Sequence, residues 1–148
     1  MNATTTVRGV GGDKLLETVN TSGTNRLGPL RVMLVVVGLI FVFGIFPLAV
    51  VWPSGWAWGH GHSHYLMMIL GVYATLGVFL LIASKNPADH RSLIWFTVWS
   101  SVVHAVIMGV QALTDGAERG HLIGDVPALL IVAIALAALT PRARKHDD

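Results

Sequence analysis

The residues able to do chemistry fall in two short polar stretches, "GHGHSH" at 59–64 and "DGAERGHLIGD" at 115–125. The first holds His60, His62 and His64, and the second holds Asp115, Glu118, Arg119, His121 and Asp125. Imidazole and carboxylate donors without thiols suit Zn, Ni, Cu(II) or non-haem Fe. With no cysteine in 148 residues, a thiolate site, a disulfide and a cysteine nucleophile are all excluded. The H-x-H-x-H pattern sits in a Gly/Ser setting with no second ligand pair at helical spacing beside it. It therefore reads first as a hydrated loop, then as a metal site, then as a pH sensor, since histidine titrates near neutrality. His64 adjoins a helix, so the metal set to test is His64, His121 and Asp125.

A second set comes from helical spacing. Thr97, Ser100 or Ser101, His104, Met108, Gln111 and Asp115 recur every three or four residues, as do His64, Met68, Gly71 and Thr75. Lipid offers polar groups no partners, so both stripes are expected to face inward and each other. The candidate ligand-binding residues are then His64, Met68, His104, Met108, Gln111 and Asp115. His104 lies deep in an apolar run. It is either functional or a neutral imidazole bonded to Ser100 or Ser101 as interhelical glue. Met67, Met68 and Met108 beside His64 and His104 offer a Cu(I) site or simple packing. A bis-histidine haem is not expected: His104 is roughly 15 Å below the outer end of its helix, whereas His64 and His121 are placed at or beyond that end. A membrane di-iron site needs more histidines on one face than this chain offers.

The elements that carry these residues follow from composition. The chain is 53% hydrophobic and 12% charged, with mean hydropathy +0.65, against about 25% charged residues in soluble domains. Four apolar runs, at about 32–51, 65–84, 93–113 and 125–140, approach the length that crosses a ~30 Å hydrocarbon core. The fold expected is an all-α integral membrane bundle of four transmembrane helices. Residues 1–29 read as a flexible tail containing "KLLETV" and not as a cleavable signal peptide, and 141–148 as a second tail. Pro47 should bend the first helix. Asp125 should cap the fourth, with Pro127 in its first turn. Gly71, Ala74, Gly77, Ala133 and Ala137 should form close packing surfaces.

Basic residues set the orientation. Arg8, Lys14, Arg26, Arg31, Lys85, Arg91, Arg142, Arg144 and Lys145 share one side of such a bundle, and Arg119 alone falls on the other. The positive-inside rule then places both termini in the cytoplasm, with Trp52, Trp56 and Trp58 in the outer aromatic belt and Trp95 in the inner one. The basic pI of about 9.4 is accounted for by this bias, so no nucleic-acid partner is implied.

The stretches "VYATLGVFLLIASKNPADHRSLIWFTVWSSVVHAVIMGVQAL" and "ERGHLIGDVPALL" resemble a family of small bacterial four-helix membrane proteins of unknown function, over about residues 30–140. The resemblance implies a bacterial inner-membrane protein and brings no activity, ligand or catalytic residue. A likeness to families of the DoxX type rests on architecture alone. Three functions stay open. The first is a non-enzymatic accessory or scaffold subunit, or a homo-oligomer, with an outward-facing His/Asp pocket. The second is a protein that binds a metal or small ligand there, and the third is a small transporter or proton-coupled carrier. Its partners are the lipid bilayer and either copies of itself or a larger membrane complex.

Overall fold

The computed structural model describes residues 27–57 and 64–141. His60, His62, Trp58 and the "KLLETV" piece lie outside them. Among the described residues all regular structure is helical. We label the four long helices α1 (Leu27–Val51), α2 (His64–Ala83), α3 (Arg91–Thr114) and α4 (Asp125–Leu139). A single turn, Pro53–Trp56, follows α1, and a 3-10 segment, Gly116–Leu122, joins α3 to α4.

The helix α1 starts at Leu27, inside the stretch expected to be tail. Pro29 falls in its first turn, where a missing N–H costs nothing. Farther along, Pro47 cannot donate to the Phe43 carbonyl, and the helix widens to a π turn at Ile40–Gly44 before resuming as Ile45–Val51. The helix thus continues past the proline.

The fourth span is built in two parts. At 15 residues, α4 rises only about 22 Å, short of the ~30 Å core. The seven-residue 3-10 segment adds about 14 Å at ~2 Å per residue and packs along α3. Together, Gly116–Leu139 form a unit long and apolar enough to cross a membrane, as do α1, α2 and α3. This is the pattern of a multi-pass membrane protein. Phe43, Val72, Phe96, Val106 and Ile134 are exposed on the outer surface, where a bilayer would cover them.

The bundle has two tight pairs. In the first, α1 crosses α2 at Gly38 and Gly77: a Cβ on Gly77 would stand 2.7 Å from the Gly38 carbonyl oxygen. In the second, α3 packs along α4 more extensively than any other two elements pack, and Arg91 at the start of α3 donates to the Pro141 carbonyl just past the end of α4. A core of Leu30, Leu34, Val37, Phe41, Leu80, Ile94, Val98, Ala133 and Leu136 joins the pairs, while α2 and α3 touch each other little.

Burial corrects the stripe expected on α2. His64, Met68, Gly71 and Thr75 are exposed, Met68 at 66%, while Leu66, Leu70, Tyr73, Gly77 and Leu80 turn inward. The Thr75 hydroxyl donates to the Gly71 carbonyl on its own helix, which satisfies it without a facing partner. Gly71 touches nothing within 4 Å of a would-be Cβ. On α3 the inward face is as expected at Thr97, Ser101 and Met108, which are buried, whereas Gln111 and Asp115 toward its C-terminal end are exposed.

Candidate functional site

Between the two helix pairs lies a cavity of about 620 Å³, within the roughly 300–1,000 Å³ range of small-molecule pockets. Its walls are mostly apolar: Val37, Phe41 and Leu48 from α1, Leu66 and Leu70 from α2, Ile107 and Met108 from α3, Leu129 and Val132 from α4. The polar lining comes from five residues, Trp56, Tyr73, His104, Gln111 and Asp125. Ile69 on α2 and Ile107 on α3 also line it and are 43% and 53% exposed. With little contact between those helices, this side opens toward the surroundings.

The polar wall is assembled by the 3-10 segment. His121, at 0% exposure, places Nδ1 2.9 Å from Asp125 Oδ2 and Nε2 3.2 Å from Glu118 Oε2. The Nδ1–Asp125 contact is a hydrogen bond, and the Nε2–Glu118 contact is a close polar approach. Asp125 is 6% exposed, and its Oδ1 has no hydrogen-bond partner among the described residues. Asp125 does begin α4, with Pro127 in the first turn, yet its carboxylate engages His121. The Asp115 carboxylate, in contrast, caps the 3-10 segment by accepting from the Ala117 N–H at 3.0 Å.

Glycines hold the segment in place. A Cβ on Gly120 would stand 2.2 Å from the Ser54 carbonyl oxygen, and one on Gly124 2.3 Å from that of Gly55. The Pro53–Trp56 turn therefore lies directly on the segment, backbone against backbone. It carries Trp56 to the cavity wall. The Trp56 Nε1 is buried with no hydrogen-bond partner among the described residues.

His104 is half-buried and meets Tyr73 edge to face, ring centroids 5.6 Å apart at 71°. Tyr73 in turn meets Phe41 at 5.0 Å and 83°. Ser100 donates to the Thr97 carbonyl, and Thr97 to that of Leu93, so these hydroxyls are satisfied within α3. The 3-10 segment carries His121 inside the fourth apolar span, Gly116–Leu139, and not beyond it. A haem ligand it still does not make, since both its nitrogens face carboxylates.

The cavity thus gathers His104, Met108, Gln111 and Asp125 from the expected residues, and leaves His64, Met68 and Asp115 outside its lining. Tyr73, Trp56 and the α1 wall were not anticipated. Among the described residues no group of three His, Asp or Glu side chains is placed to hold a metal ion. The chain belongs to a family of unknown function, DUF6632, whose model matches residues 25–146. No curated protein and no solved structure matches it.

Proposed function

We propose that this member of DUF6632 is a non-catalytic multi-pass protein of the bacterial inner membrane, both termini cytoplasmic, that takes a small apolar molecule into the cavity between its helices. The observation behind this reading is one cavity of about 620 Å³ whose apolar walls meet a polar corner at His104, Gln111 and Asp125. Pockets that hold small ligands combine an apolar lining with a few polar groups that orient the guest. The open side between α2 and α3 suits entry from the bilayer, where such a molecule would be dissolved.

A metal held by His64, His121 and Asp125 is the less supported reading, since His121 already faces a carboxylate at each nitrogen. Ligand binding is compatible with service as an accessory subunit, as a protomer of a homo-oligomer, or as a small carrier. Photolabelling with a neutral aryl diazirine, on full-length protein in lipid nanodiscs, tests the proposal. Incorporation should saturate near one probe per chain and be competed by the unlabelled compound. Ala128→Trp, which fills the cavity from α4 one turn below Asp125, should remove the saturable part. Purely linear incorporation in the wild type would refute ligand binding.

A further inference from the structure

The charges around the polar corner do not balance. Two carboxylates belong to it: Asp125 lines the cavity at 6% exposure, and the Glu118 side chain is 18% exposed. Between them lies the buried His121 ring, its Nδ1 2.9 Å from Asp125 Oδ2 and its Nε2 3.2 Å from Glu118 Oε2. Arg119 is exposed and outside the lining, and among the described residues no Lys or Arg lines the cavity. His104 adds a ring but no fixed charge. With no lysine or arginine among the described lining residues to offset them, the two acidic groups leave an excess of carboxylate beside a low-dielectric space, where an uncompensated charge is expensive. Asp125 Oδ1, buried and without a hydrogen-bond partner among the described residues, is where that excess is least satisfied.

The walls nearest this corner are aromatic. Phe41, Tyr73, Trp56 and His104 all line the cavity, and ring faces attract cations. We infer that the ligand is a lipophilic cation, an apolar body bearing one delocalised or shielded positive charge, and that Asp125 sets this preference. The inference rests on the ligand-binding reading above and specifies the chemical class. An anion of the same shape would meet the excess negative charge and be rejected, and a neutral molecule would bind without the electrostatic gain.

Tetraphenylphosphonium and tetraphenylborate are nearly identical in size and opposite in charge, so they separate charge from shape. Equilibrium dialysis against full-length protein in phosphatidylcholine nanodiscs, with empty discs subtracted, should show saturable phosphonium binding. That binding should be at least about tenfold tighter than for the borate. Asp125→Asn should erase the difference between the two ions. Equal affinities, tighter borate binding, or an unchanged preference in Asp125→Asn would overturn the inference. Should that variant fail to fold, Glu118→Gln carries the same comparison, lowering the preference if charge sets it and leaving it unchanged if not. If the neutral probe binds but the ions do not differ, only the charge preference falls. If none of the three binds saturably, the cavity reading falls with it.

Discussion

At the scale of single residues, His121 is the keystone of the polar corner. Its ring is fully buried between Glu118 and Asp125, and removing one partner from a buried ionic group leaves the rest uncompensated. His121→Ala should therefore destabilise the protein by about 3 kcal/mol, measured by reversible unfolding in mixed micelles; a loss under about 0.5 kcal/mol would show that the ring is not structural. The sequence singled out His121, His104 and Asp125 because ionisable groups stand out in an apolar chain, and the structure brings His104 and Asp125 to the cavity and His121 against Asp125. It misled at His64, Met68 and Thr75. Polar spacing alone does not say which way a stripe faces when a threonine can bond to its own helix, as Thr75 does to the Gly71 carbonyl. Tyr73 carried a signal that went unread: an aromatic hydroxyl near the middle of α2, well inside its apolar run.

At the scale of elements, the least legible piece was the 3-10 segment. "GAERGHL" has the composition of a loop, and its role depends on contact with a turn more than sixty residues earlier in the chain. A length argument pointed to it, since α4 alone is too short to span. The four-residue spacing of Gly120 and Gly124 pointed to it as well. Replacing either glycine tests the contact: Gly124→Ala puts a methyl 2.3 Å from the Gly55 carbonyl oxygen. It should lower thermal stability and expose Trp56 to aqueous quenchers. The α1–α2 crossing gives a paired test. Gly77→Leu should cost about 2 kcal/mol or more, because Gly38 and Phe41 leave it no room. Gly71→Leu, on the same helix with nothing near, should stay within about 0.5 kcal/mol. Equal effects at the two glycines would contradict the crossing.

At the scale of the whole molecule, the four-helix architecture was legible because membrane spans are long and almost purely apolar, and their number follows from counting such runs. The cavity was not. It arises from how two helix pairs lean together, and no local pattern encodes that. The proposed orientation has a direct check, since the chain contains no cysteine and single ones can be introduced cleanly. In intact spheroplasts, Arg119→Cys should react with a membrane-impermeant maleimide, and Lys85→Cys should react only after permeabilisation. The reverse pattern would invert the protein in the membrane.

The central claim, that the space between the helix pairs is a ligand site, is tested most directly by mapping where the neutral aryl diazirine attaches in full-length protein. Peptide mass spectrometry should find competable label on the cavity walls, at Phe41, Tyr73 and Leu129, and should find it lost in Ala128→Trp. Label confined to the exposed outer faces, at Phe43, Val72 and Ile134, and unchanged in that variant, would contradict the claim.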